Sequence, residues 1–400
     1  MTARRDAEGW GNSRKEEPMK TVEQMERLAP AMTEWRRDFH RNPELAFHES
    51  RTAAIVADRL REFGLDPVTG IGGTGVVAVI DSGKPGPSIA LRADMDALPM
   101  DDASGKPWHS HTPGVAHACG HDGHSAALLG TARHLADHPP AAGRVVLIFQ
   151  PAEENGLGAR AMIADGLLER FPFDEVYAFH NMPLLDPGVA AVRTGPTLNG
   201  YIIWDIEIEG VGGHGAAFFK TVDPVQAAAR LTLEIGSIVG RYLDPAESGL
   251  ITVCAVRAGT SHNVIPERAT LSGTLRALRP EVMDLLYARL ETACDGVAAL
   301  TGCRISLRQA AQVPPCVNAP DAADRAAAAC AEILGADKVI RDHALFPFTD
   351  DMALLLQAAP GAYLFLGQDS AMCHHPEYDF DDALLPVAAS IFVALVRQPR

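Results

Sequence analysis

The chain has 400 residues, 47% of them hydrophobic and 22% charged, and carries a formal net charge of −16. That length exceeds one ordinary domain, and the composition is that of a globular protein with a sizeable core. The negative balance argues against a nucleic acid or an anionic membrane as partner, and no apolar run approaches the ~20 residues of a membrane span.

Residues 1–20 are charged, lack an apolar signal region and read as a disordered tail, with Met19 a candidate alternative start. Glu23 to His40 reads as a helix, kinked or restarted at Pro30. A second helix runs from Ser50, a candidate N-cap, to Phe63. Val76–Ile80 and Ser88–Arg92 are short apolar runs of strand type, the second ending near Asp94. His124–His138 reads as a helix stopped by Pro139-Pro140. Arg144–Gln150 and Glu175–Phe179 have uninterrupted apolar centres, as strands covered on both faces do.

From Thr197 the pattern changes. Tyr201–Glu209 alternates apolar and acidic residues, as a half-exposed antiparallel strand would. A helix over Pro224–Arg241, strands over Leu250–Val256 and Ala269–Leu275, a helix over Pro280–Ala299 and a strand over Arg304–Arg308 follow. This order predicts an inserted α+β (ferredoxin-like) sandwich at residues 197–309. An α/β domain of mixed sheet, with helices on both faces, would be split between residues 21–196 and 310–400, the second part carrying a strand at Ala362–Leu366.

Five clusters carry chemistry, most of them after predicted strands: Asp94-Met95-Asp96, His117 to His124 (HACGHDGH), Pro151-Ala152-Glu153-Glu154, Phe179-His180-Asn181 and Cys373-His374-His375-Pro376. Thiolate, imidazole and carboxylate donors gathered at strand ends favour a transition-metal dication and point to a metal-dependent hydrolase. Cys119 and His121, two apart, share a side if the backbone is extended. Glu153 and Glu154 diverge at a strand end, so one is free to bind metal while the other handles a proton. His180 reads either as a ligand or as a satisfied core histidine, and His374 and His375 are equivalent at this level. Asp94 reads as a site residue or as a support that orients a ligand histidine, and Asp96 as a turn residue. His214 sits in the Gly-rich segment Gly210–Gly215, which lacks the context of a nucleotide loop. The seven scattered cysteines fit a reducing cytoplasm better than a disulfide framework.

These segments resemble the M20 metallopeptidase and amidohydrolase family, in its branch of aminoacylases, hippurate hydrolases and auxin-conjugate hydrolases. The resemblance rests on Phe39–Leu45 (FHRNPEL), Leu91–Pro99 (LRADMDALP), the Cys119/His121 segment and Phe149–Glu154 (FQPAEE). It continues through Gly212-Gly213-His214, Asn263–Glu267 (NVIPE), Pro360-Gly361-Ala362 and His374–Phe380 (HHPEYDF), spanning residues 22–396. It implies two divalent metal ions per subunit, held by Cys119, His121, Glu154, His180 and His374. Zinc is favoured by thiolate softness, with manganese, cobalt or nickel as alternatives. It further implies Glu153 as general base and then acid, His214 as an oxyanion donor supplied across a homodimer, and Asn263 and Arg276 as binders of the substrate carboxylate. The insertion would be both lid and dimerisation unit.

The implied activity is hydrolysis of N-acyl amino acids (N-acetyl, N-benzoyl or similar) in the cytoplasm. The rivals are a dipeptidase or a hydrolase of an atypical metabolite amide, and a catalytically silent small-molecule binding protein. Thiol chemistry at Cys119 is disfavoured, because no resolving cysteine lies nearby in sequence. Three departures from the family pattern stand out: Phe218-Phe219 where a Pro-His pair is usual, Asp350-Asp351-Met352 in place of Glu-Asp-Phe, and Cys373 in place of an apolar residue.

Overall fold

The computed structural model describes residues 22–346 and 348–398, so the expectations for residues 1–20 lie outside it. The elements that position the site are, in order, α1 (Glu23–Arg41), α2 (Ser50–Glu62), β1 (Val68–Ile71), β2 (Gly75–Asp81), β3 (Ser88–Asp94), α3 (His121–Asp137), β4 (Arg144–Gln150) and β5 (Glu175–Met182). Next come β6 (Gly200–Glu209), α4 (Pro224–Tyr242), β7 (Gly249–Ala258), β8 (Arg268–Ala277), α5 (Pro280–Thr301) and β9 (Arg304–Val313). Then follow α6 (Pro320–Leu334), β10 (Gly361–Gly367) and α7 (Leu384–Arg397).

Three helix details differ from the sequence reading, the first being that α3 opens at His121 rather than His124. α1 runs unbroken through Pro30, because Met25, Met32 and Phe39 are buried along one face and hold both halves on the core. Ser50 is the first helical residue of α2 and Glu49 is its cap position. The Glu49 side chain is wholly buried and accepts from Phe47 N (3.0 Å), Ala152 N (2.9 Å) and the Thr74 hydroxyl. It thereby ties the start of α2 to the turn that follows β4.

The large sheet has the order β1-β2-β4-β3-β5-β10, extended by the short strands Ala190–Ala191 and Val339–Ile340. β3, β4, β5 and β10 are parallel, so their carboxyl ends share one edge. Alternate residues serve opposite faces. Ile89, Leu91, Val145, Leu147, Phe149, Tyr177 and Leu364 join the core under α1, α2, α3, α6 and α7. Ala90, Val146, Ile148, Ala178 and Tyr363 meet Met162, Leu167, Met352 and Leu355 on the other side. Covering on both faces is why these strands read as continuous apolar runs.

A separate antiparallel sheet has the order β7-β8-β6-β9. α4 and α5 cover one face, where Ile202, Trp204, Ile206 and Ile208 meet Leu231, Ile235, Leu286 and Leu290. Gly273 permits this packing, since a Cβ there would sit 2.2 Å from the Trp204 ring. The opposite face is polar, with Arg268 3.3 Å from Glu207 and Arg308 paired with Asp205. Connectivity and strand order are those of the expected ferredoxin-like sandwich, and β9 runs beyond the predicted Arg308 to Val313.

A buried ionic network ties α1 to the chain's end. Arg36 pairs with Asp379 (2.9 Å) and Asp382 (2.7 Å). His40 Nδ1 lies 2.8 Å from Asp122, and its Nε2 is 3.3 Å from Asp102. Burial opposes charge on His40, but Asp122 and Asp102 outweigh it and raise its pKa from 6.5 to about 9. Burial raises the two carboxyls, yet the contacts with His40 hold both well below the usual carboxylate range. The His40 contribution, roughly 3 kcal/mol, is therefore complete below pH 6.5 and lost as pH rises through about 9. The carboxylate contributions are present above their ordinary pKa of 3.8 and fade as pH falls below it. Urea unfolding of the wild type and His40→Gln should thus show their largest stability gap near pH 6, closing as pH is raised past 9. A gap constant across that range would mean that His40 is neutral in the fold.

Candidate metal centre

Each cluster lies at or near the carboxyl edge of the large sheet. The turn after β3 is an organiser. The Asp96 carboxylate accepts from Glu153 N (3.0 Å) and Glu154 N (2.9 Å), fixing the turn after β4. The Asp96 carbonyl accepts from His121 Nδ1 (2.9 Å). That bond leaves the opposite ring nitrogen of His121 free to bind a cation.

Cys119 and His121 are not on extended backbone. Gly120 between them has φ +99° and His121 opens α3. Only glycine fits there, since a Cβ would meet Asn181 Oδ1 at 2.1 Å and the Tyr378 hydroxyl at 2.6 Å. The sharp turn still converges the two side chains. Donor atoms of Cys119, His121 and His180 lie within 4.8 Å of one another, as do those of Cys119, Glu154 and His374. The two groups share Cys119.

His180 Nδ1 donates to Asn181 O (2.6 Å), which leaves Nε2 3.3 Å from Cys119 Sγ. His374 adopts φ +65° and donates its N–H to Ala118 O (2.7 Å). Its Nε2 is 3.3 Å from a Glu154 oxygen. His375 turns away and accepts from Glu377 N (3.2 Å).

Electrostatics fit a cation at this point. His121 Nε2 and Glu154 Oε1 are buried without a hydrogen-bond partner, which is costly unless an ion completes them. Burial opposes charge on His121, but Asp94, Asp96 and Glu154 raise its pKa well above the usual value, so the pocket calls for positive charge. Burial and the neighbouring His124 push His180 down, keeping its imidazole neutral and able to ligate. The hydrogen bond with Cys373, burial and the Glu154 carboxylate push the Cys119 thiol up, so a bound cation is what would ionise it. Burial, Asp350, Glu154 and Asp351 raise the Glu153 carboxyl well above the usual range. The residues present therefore fit divalent cations.

Supporting groups lie beneath. Asp94 accepts from Arg92 (2.6 Å) and His124 (2.6 Å) and lies 3.8 Å from His121 Nε2. His124 Nε2 is 2.8 Å from Asn181 Oδ1, and Asn181 donates to the Tyr378 hydroxyl (2.7 Å). The sequence reading missed Asp96 as an organiser, as well as Arg92, His124 and Asn181. The repeated acids of Asp94-Met95-Asp96 and the second histidine of HDGH were the available signals. Cys373 is likewise nearer than its place in the sequence suggested, its Sγ 3.9 Å from Cys119 O.

A cavity of about 420 Å³ opens over the centre. Cys119, Glu153, Glu154, His180 and His374 form its floor, and Met182, Leu198, Phe348, Phe365 and Met372 supply apolar wall. Arg276 and Tyr201 reach it from the second sheet. His214 and Asn263 do not line it. His214 is exposed and its Nδ1 accepts from Ala216 N (3.1 Å), while Asn263 accepts from Ser261 Oγ (2.9 Å). Phe218 and Phe219 stand 67% and 73% exposed on the turn after His214.

A parallel-edged α/β sheet with this donor set defines a metal-binding hydrolase. The model of peptidase family M20/M25/M40 matches residues 90–398, and the chain belongs to that family. It is 38% identical over 361 residues to a hippurate hydrolase from Campylobacter jejuni, covering 90% of this chain and 94% of that protein. It is 35% identical over 362 residues to an N-acetyl-L-cysteine deacetylase from Bacillus subtilis, covering 90% of this chain and 85% of the relative. Among solved structures, it resembles a dinuclear metal binding peptidase of the M20 family from Bacillus subtilis. That match has a TM-score of 0.80 and 30% identity, covering 93% of this chain and 98% of the other.

Gly120→Ala should abolish zinc uptake while leaving far-UV circular dichroism close to wild type, because the clash falls on the ligand turn. Unchanged zinc stoichiometry by atomic absorption would show that the turn does not set the donor geometry.

Proposed function

We propose that this protein hydrolyses the amide bond of N-acyl amino acids, releasing a carboxylic acid and a free amino acid. The observation that carries this reading is the cavity itself. It sets a donor cluster and Glu153 at one place, an apolar wall beside them, and the Arg276 guanidinium on the facing sheet. An N-acyl amino acid has matching parts: an amide, an acyl group and a carboxylate, which suits a guanidinium.

Cys119, His121, Glu154, His180 and His374 would hold two divalent cations, zinc first by thiolate softness and manganese, cobalt or nickel as alternatives. When bound, they supply positive charge that acidifies water and stabilises charge developing on the amide oxygen. Glu153 takes a proton from water and returns it to the leaving amine. Its raised proton affinity suits both steps. Arg276 orients the substrate through its carboxylate, Asp96 holds His121 and the turn carrying Glu153, and Asp94 holds His124 beneath them.

The segment 197–309 would act as a lid and dimerisation unit between catalytic parts 21–196 and 310–400. His214 and Asn263 would then enter a site from across a homodimer, which accords with their position outside the cavity within one chain. A reducing cytoplasm accords with seven unpaired thiols.

Amine release from N-acetyl, N-benzoyl and indole-acyl amino acids tests the reading, using chelated protein and the same protein with zinc or manganese restored. Release should require metal. Glu153→Gln should lower kcat by about 10²–10⁴, and Arg276→Ala should raise KM roughly 10- to 100-fold. No release from folded, metal-loaded protein would refute the activity. An unchanged KM in Arg276→Ala would turn attention to amides without an α-carboxylate.

A further inference from the structure

The centre contains a second thiol that the proposed chemistry does not use. Cys373 stands beside Cys119 although they are far apart in sequence. The backbone fixes the pairing, since His374 N donates to Ala118 O (2.7 Å) and brings the two segments side by side. Cys373 Sγ lies 3.9 Å from Cys119 O and accepts from Asn181 Nδ2 (3.6 Å). Both cysteines line the cavity, so a small oxidant has access from the mouth. Cys373 is absent from the donor groups that include Cys119, which leaves it available for other chemistry. Segments held side by side in this way put the two cysteines within reach of a disulfide without a large rearrangement.

We propose that Cys119 and Cys373 are a disulfide-forming pair that hydrogen peroxide oxidises when the centre lacks metal, and that the bridge removes the thiolate shared by both ligand groups. This inference rests on the proposed metal centre. The Cys373 sulfur attacks one peroxide oxygen, forming an S–O bond as the O–O bond breaks and water leaves. The Cys119 sulfur then attacks the Cys373 sulfur, forming S–S as S–O breaks and a second water leaves. The two thiols lose two electrons and peroxide gains them. Reduction by an external dithiol reverses the bridge. Bound metal engages Cys119 and protects the pair, so oxidation and metal loading exclude one another.

The test uses the full chain, stripped of metal by chelation, freed of chelator and treated with hydrogen peroxide. Thiol titration should show loss of two of the seven thiols. Mass spectrometry of a non-reduced digest should join the peptides containing Cys119 and Cys373. Zinc uptake should fall to near zero and return with dithiothreitol, while zinc-loaded protein keeps its thiols under the same dose. Reduced Cys373→Ser and Cys373→Ala should bind zinc as the wild type does and form no such bridge.

A different pairing, oxidation to sulfinate without a cross-link, or equal oxidation of zinc-loaded protein would overturn the proposal. So would loss of zinc uptake in both reduced Cys373 variants, which would make Cys373 a ligand. Failure of the reduced wild type to bind any zinc would instead overturn the metal centre on which this inference depends.

Discussion

The Arg92 guanidinium is the interaction on which the centre depends. It projects from β3 into the interior, 1% exposed, and pairs with Asp94 (2.6 Å), Asp350 (3.2 Å) and Asp351 (3.2 Å). It also donates to Gln150 (2.9 Å) at the end of β4. One buried cation thus joins two strand ends to the turn before the 352–358 helix. A buried charge is tolerable only when so fully paired. Its positive charge does not balance its surroundings, because Asp96, Glu153 and Glu154 crowd the same sheet edge. Burial and the surrounding carboxylates raise the proton affinity of Glu153, and the carboxylates outweigh burial to raise that of His121, which makes the edge a place for cations.

From Arg92 the order passes outward by hydrogen bonds. Asp94 holds His124, His124 meets Asn181, and Asn181 faces Tyr378 and Cys373. Backbone conformation completes the aim. Among the described residues the non-glycine positions with positive φ are Phe47, Ala152 and His374. Ala152 immediately precedes the two glutamates, and His374 is itself a donor. Such conformations cost of order 1–3 kcal/mol and persist where neighbours enforce them. Here Glu49 accepts from Ala152 N and Ala118 accepts from His374 N.

Much of this was legible in the sequence because the chemistry is concentrated. Apolar runs such as Arg144–Gln150 announce doubly covered strands, and acid pairs or histidines directly after them mark the functional edge. The alternation in Tyr201–Glu209 likewise announced a one-faced sheet. What stayed hidden depends on contacts between distant segments. Nothing local distinguishes His374 from His375, and the backbone bond to Ala118 separates them. Asp96 resembles an ordinary turn acid until its carboxylate is seen to accept from Glu153 and Glu154. Ser50 loses the cap position because Glu49 is drawn inward by Thr74 and Ala152. The Cys119–Cys373 contact spans segments that no periodicity relates.

The two sheets divide the work unequally. The large sheet supplies the donor cluster, and its strands are buried on both faces. The second sheet gives Arg276 and Tyr201 to the cavity but holds His214 and Asn263 apart from it. Those two sit on a small two-stranded antiparallel ladder, where Val264 pairs with His214 and Gly215 donates to Asn263 O (2.8 Å). They therefore travel together, and any movement or partner that brings one to substrate brings the other. Phe218 and Phe219 follow directly on this ladder, their turn fixed by two bonds from Thr221 to Phe218 O. An exposed aromatic pair is costly to leave in water. Its rigid link to His214 means that the approach delivering a polar donor to the amide would also deliver two phenyl rings beside it. Under the proposed reaction, the departure at Phe218-Phe219 thus bears on which acyl groups are accepted, while the metal donors, fixed on the other sheet, are unaffected by it.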